Sequence, residues 1–257
     1  MNYRVTALKY GCQYYPGPAI YWFSKWFDWV YLDFYFWLVQ GDGKTILVDV
    51  GMSQEHADRA NPTITQLIGE KAAIQISVDP LEVLRQQDVK PEDVDYVILT
   101  HAHLDHVSNV RKFPRATFIT SRVGFEWVTH SPYPQLVSPI AIPADALEFL
   151  DKEARRAGRL RLTEDREEVL PGITTIRTGG HTVDHQMVLI DTAQGRVGLI
   201  VDNAPTYANL EQRVPVGSPF DVVAAAKSLD MVVQEAEIVV PGHDPEVSTR
   251  FSGGRIA

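Results

Sequence analysis

The chain of 257 residues carries 24 Lys and Arg against 33 Asp and Glu, a formal net charge of −9, with 45% hydrophobic and 22% charged residues. That composition excludes intrinsic disorder, and the length allows one or two domains with a large core. The acidic balance argues against nucleic acid as a partner, because no basic patch overrides its repulsion of a phosphate backbone.

The N-terminal residues include Arg4 and Lys9 but no apolar core of a signal peptide, and the sole cysteine, Cys12, cannot form an intramolecular disulfide. A cytoplasmic location is therefore expected. The most apolar stretch, Ala19 to Val39, is interrupted by Lys25, Asp28 and Asp33, so no membrane span is expected. Residues 14–37 hold thirteen of the 25 aromatic side chains. Pro16, Gly17 and Pro18 prevent this segment from being one regular element, so an aromatic-rich loop is expected at about 14–31. Trp22, Trp26 and Trp29 are its candidate wall for an apolar or aromatic substrate; a subunit contact in a homodimer and core packing are the other readings.

Tyr35 to Gln40, the turn Gly41-Asp42-Gly43 and Thr45 to Val50 read as a hairpin. Residues 94–100 (VDYVILT) are a β-branched apolar run, as in a strand covered on both faces. A strand is expected at Ala116–Thr120 and a helix at 144–157, while Lys152 to Arg166 reads as a solvated helical face. A second strand cluster follows at Ile173–Arg177, Gln186–Asp191 and Val197–Val201. Ser218 and Pro219 suit a helix start, with Asp221 in its first turn and Val222, Ala226, Leu229 and Val233 recurring along one face. Ile238 to Val240 is a last buried strand. The alternation predicts an α/β fold of sheet layers covered by helices, with no boundary dividing the chain.

The chemistry lies at strand ends. The run 94–100 leads directly into His101-Ala102-His103-Leu104-Asp105-His106, four metal-competent side chains within six positions. His101 and His103 alternate on an extended segment and leave one face, while Asp105 and His106 follow a turn. So short a segment cannot give all four to one metal, but two adjacent metals can share them. His181 follows the strand at 173–177, Asp202 ends the strand at 197–201, and His243 follows the strand at 238–240. Each can converge on the same point.

His-x-His-x-Asp-His followed by Gly-His, Asp and Gly-His resembles the metallo-β-lactamase superfamily, and Leu47-Val48-Asp49-Val50-Gly51 is similar to its first strand. Within it the chain looks like the N-acyl homoserine lactonase group of quorum-quenching enzymes. The resemblance implies one domain over residues 1–257. Its fold would be an αβ/βα sandwich of two mixed sheets packed face to face with helices outside. It also implies one metal at His101, His103 and His181, a second at Asp105, His106 and His243, and Asp202 bridging. His185 and Asp49 would support these ligands from behind, and Tyr207, after Asp202, would polarise the substrate carbonyl. Histidine and carboxylate donors suit two Zn²⁺ ions, with Mn²⁺, Co²⁺ or Fe²⁺ as alternatives.

The expected function is a dinuclear metal-dependent hydrolase in which a bridging hydroxide attacks a small cyclic ester and Asp105 passes a proton to the departing oxygen. Hydrolysis of a thioester, as in glyoxalase II-type enzymes, or of a cyclic amide at the same metals is the alternative. A non-catalytic metal-binding protein is a further class.

Overall fold

The computed structural model describes residues 2–137 and 141–257. Its first strand, β1 (Arg4–Pro16), lies antiparallel to β2 (Trp29–Gly41), which turns back into β3 (Lys44–Val48). Asp42 and Gly43 both have positive φ, 50° and 68°, so the expected hairpin closes through a two-residue turn that matches strand twist. A short edge strand, β4 (Gln75–Ile76), joins β1, while β5 (Tyr96–Ile98), β6 (Thr117–Ser121) and β7 (Leu160–Thr163) continue from β3 in parallel. The second sheet holds β8 (Arg166–Leu170), β9 (Ile173–Arg177), β10 (Gln186–Thr192), β11 (Gly195–Val201) and β12 (Ile238–Pro241). Strand orders are β4-β1-β2-β3-β5-β6-β7 and β12-β11-β10-β9-β8.

Side-chain alternation divides the interior into layers. Trp37, Val39, Ile46, Val48 and Ile98 pack between the sheets against Val188, Ile190, Val197, Leu199 and Val240. Their neighbours Phe36, Leu38, Leu47, Val97 and Leu99 point the other way, onto an outer layer that includes Ile64 of the helix Gln54–Ile68 and Phe125 of the helix Arg122–His130. On the far side, Met187, Leu189 and Ile200 meet Leu229 and Val232 of the helix Val222–Glu235. Helix, sheet, sheet, helix is the αβ/βα sandwich that the sequence led us to expect.

Several local expectations shift. The aromatic segment is not loop throughout: β1 runs to Pro16, a short helix covers Gly17–Ile20, and β2 begins at Trp29. The helix expected at 144–157 winds as α over Ala144–Glu148 and widens to a π turn at Phe149–Ala154. Lys152 to Arg166 is therefore not one helical face, because it runs on into β7 and β8. The last long helix takes Asp221 as its cap, whose carboxylate accepts from Val223 N and Ala224 N, and not Ser218. Among the described residues, no helix is long and apolar enough to cross a membrane.

Candidate metal centre

β3 and β5 lie side by side, and their carboxyl ends deliver the first group of residues. Asp49, just past β3, is fully buried with φ of 62° and serves as a hub. Its carboxylate accepts from Thr100 N and Thr100 Oγ1, both at 2.8 Å, and from His106 Nδ1 at 2.7 Å. The loop after β5 is thereby pinned before it turns into the short helix Leu104–Val107, which carries Asp105 and His106. Fixing Nδ1 of His106 leaves its Nε2 directed elsewhere.

The second sheet supplies the rest. His181 is held through its backbone N–H, which donates to Asn203 Oδ1 at 2.7 Å. Gly180, at φ of 94°, leaves no room for a side chain, since a Cβ there would meet Asn203 Oδ1 at 2.5 Å and the Ala225 backbone at 2.8 Å. Asp202 follows β11 directly. His243 follows β12, and its Nδ1 donates to the Asp33 carbonyl at 2.9 Å.

These elements bring His101, His103, His181 and Asp202 into one group and Asp105, His106, Asp202 and His243 into another, with candidate ligand atoms in each within 4.8 Å of one another. Asp202 belongs to both. Its Oδ2 lies 3.4 Å from His181 Nε2 and 3.7 Å from His101 Nε2. Its Oδ1 lies 3.0 Å from His243 Nε2 and 3.5 Å from His106 Nε2. Asp105 Oδ2 stands 3.2 Å from His106 Nε2 and 3.6 Å from His243 Nε2.

Electrostatics separates the two groups. Burial pushes His101 well below the usual imidazole pKa, and pushes His181 down to about 3. Burial opposes charge on His106 too, but Asp105, Asp49 and Asp202 around it hold its pKa well above the usual value. His243 is likewise raised against burial, by Asp202 and Asp105. His101 Nε2 and His106 Nε2 are buried without a hydrogen-bond partner among the described residues. Buried nitrogens with no partner are costly unless something binds them, and both are directed at Asp202.

His185 stands beside this cluster and not in either group. Its Nδ1 lies 2.6 Å from Thr178 Oγ1, its ring centroid 5.6 Å from that of His101, and burial lowers its pKa to about 3.

A cavity of about 270 Å³ opens over the cluster and reaches His103, Asp105, His181, Asp202 and His243. Its apolar wall comes from Tyr15, Ile20, Leu32, Phe34, Met52 and Ile64. Two expectations fail here. Trp22, Trp26 and Trp29 are not among the described residues that line it, and Trp26 is 57% exposed at the tip of the loop. Tyr207 does not line it either: its ring lies under Arg250, 3.7 Å from the guanidinium carbon, and its hydroxyl is buried without a hydrogen-bond partner among the described residues. The tyrosine on the cavity wall is Tyr15, which sequence reasoning missed. Gln13 and Tyr15 share one face of β1, and Leu32 and Phe34 one face of β2, a period-two signal that points at the cavity only once the two strands are paired.

The family model of the metallo-beta-lactamase superfamily matches residues 35–243. An N-acyl homoserine lactonase of a Bacillus species is 30% identical over 219 residues, 82% of this chain and 80% of that one. Among solved structures, an N-acyl homoserine lactone hydrolase with the product N-hexanoyl-L-homoserine at its catalytic metal centre covers 97% of both chains, with TM-score 0.76 at 23% identity. AidC, a dizinc quorum-quenching lactonase, covers 95% of this chain and 88% of its own, with TM-score 0.67 at 15% identity. At these identities the two structures establish the shared fold.

Proposed function

This chain belongs to the metallo-β-lactamase superfamily, in its N-acyl homoserine lactonase-like group, and on that premise we propose that it is a dinuclear metal-dependent hydrolase that opens lactones. The observation that carries this reading is the division of Asp202, one carboxylate oxygen facing His101 and His181 and the other facing His106 and His243. A carboxylate placed in this way would serve two ions better than one. The unpartnered Nε2 atoms of His101 and His106 fit the same donor set. His101, His103, His181 and Asp202 would hold one ion, and Asp105, His106, His243 and Asp202 the other, Zn²⁺ matching these donors best. When bound, the ions supply Lewis acidity and a water pKa near 7.

The chain's own residues do the remainder. The whole of it acts as one domain, because both sheets contribute ligands. Asp105 lines the cavity, and although burial opposes its charge, His106 and His243 keep its pKa below the usual carboxylate range. It is placed to take a proton from the attacking water and pass it to the departing ring oxygen. Tyr15 keeps a neutral phenol, its pKa raised by burial and by Asp105, and is the hydrogen-bond donor of the wall for the carbonyl oxygen. Ile20, Leu32, Phe34 and Ile64 give the apolar chain of a substrate a dry surface. The test is a panel of lactones, thioesters and cyclic amides with metal-loaded and chelated protein. Lactone turnover that chelation abolishes is expected. A preference for thioesters, or metal binding without turnover of any of them, would overturn the reading.

A further inference from the structure

A second cavity, of about 230 Å³, opens onto the same centre. Among the described residues it shares His103, His181 and Ser218 with the first cavity and no other lining residue. Its apolar wall is formed by Trp127, Val128, Leu136, Val137 and Phe220. Trp127 and Phe220 meet edge to face, with ring centroids 5.5 Å apart at 71°. Both are fixed to the loop that carries His181. Phe220 N donates to the His181 carbonyl at 3.1 Å, and Asp221 N to the Gly180 carbonyl at 3.0 Å. The helix bearing Trp127 is seated on residue 184, so closely that a Cβ at Gly124 would lie 2.1 Å from Asp184 Cα. Phe220 is nonetheless 51% exposed, an aromatic ring at the cavity mouth left half open to solvent.

We propose that this second cavity is a subsite for a neutral apolar group, about the size of one aromatic ring, carried by the lactone substrate. The inference rests on the lactonase reading above. Because His103 and His181 line both cavities, a group seated in the second adjoins the centre, which favours an occupant that is part of the reacting molecule. A cavity of roughly 150 Å³ holds a benzene molecule, so this one accommodates a phenyl ring or a short branched alkyl group. Among the described lining residues there is no Lys or Arg, and Asp184 is present, which disfavours an anionic substituent.

The test uses the metal-loaded enzyme and γ-butyrolactone, α-phenyl-γ-butyrolactone and γ-phenyl-γ-butyrolactone. Phe220→Ala, on an exposed ring whose loss spares the core, should raise KM for the better phenyl lactone about tenfold more than for the unsubstituted ring. Trp127→Ala should act in the same direction, and Trp127→Phe should restore most of the preference. A second readout needs no turnover: 2-phenylcyclopentanone should quench tryptophan fluorescence saturably in wild type and not in Trp127→Phe, and cyclopentanone should not quench it. Equal KM changes for all three lactones, or a quench that persists in Trp127→Phe, would overturn the subsite. Quenching without hydrolysis of any lactone would instead overturn the functional reading and leave the subsite standing.

Discussion

Nε2 of His243 lies 3.0 Å from Oδ1 of Asp202, while the other oxygen of the same carboxylate faces His181 at 3.4 Å. One side chain thus ties β11 and β12 to both halves of the ligand cluster. Asp202→Ala should lower metal content at both sites together, whereas His243→Ala should mainly empty the site of Asp105 and His106. Elemental analysis of the two purified variants checks this. Loss of only one metal in Asp202→Ala would contradict the bridge.

Asp49 reaches the centre through His106 and Thr100. Asp49→Ala should weaken metal affinity at the second site by about 10–100-fold, the usual cost of losing a group that orients a ligand. His185→Ala should leave both metals in place and reduce activity modestly. If His185→Ala loses a metal outright, its imidazole is a ligand and the assignment of the first group is incomplete.

Tyr15 and Tyr207 should respond oppositely to loss of the hydroxyl. Tyr15→Phe should lower kcat by about 100–1,000-fold with little change in melting temperature, because a donor to the developing negative charge is removed. Tyr207→Phe should keep activity and hold or slightly raise stability, since its hydroxyl is buried without a partner among the described residues, a situation that costs about 1–3 kcal/mol. A large activity loss in Tyr207→Phe alone would reverse these roles.

The candidate ligands could be picked out in the sequence because each group follows a strand, where a short run of β-branched residues announces the position before the candidate appears. β1 was not legible. Its alternation breaks at a register shift between Lys9 and Gly11, and Tyr14 and Tyr15 place aromatic residues on both faces. Without β1, the cavity wall has no visible owner, and the tryptophans of the neighbouring loop become the natural choice, although they are not among the described residues that line the cavity. Tyr207 misleads for a related reason: closeness to Asp202 along the chain does not fix direction, and the helix Tyr207–Glu211 turns its ring toward Arg250.

The aromatic tip and the cavity wall should separate in a chain-length series. Leu32→Ala should raise KM for a long-chain lactone more than for a short one, by a factor corresponding to about 1–3 kcal/mol of lost apolar contact. It should also lower stability, as a buried leucine does when truncated. Trp26→Ala should change neither chain-length preference nor melting temperature. If Trp26→Ala weakens long chains selectively, the loop closes over the substrate after all.

Protons compete with metals for histidines, and here they compete unevenly. Burial lowers the pKa of His101 and His181, while the carboxylates around His106 and His243 raise theirs. A raised pKa means that a proton must leave before the metal binds, so affinity at the second site should rise with pH over a range where the first is already filled. Metal content after dialysis of chelated protein at stepped pH should therefore show the first equivalent retained at lower pH than the second. Loss of both in one step would contradict this order.

If two ions act together on a lactone, activity should need both. Metal-free enzyme should be titrated with Zn²⁺ while hydrolysis of an N-acyl homoserine lactone is followed. Activity should climb to a plateau at two equivalents per chain. A plateau at one equivalent, or no lactone hydrolysis at any loading, would contradict it.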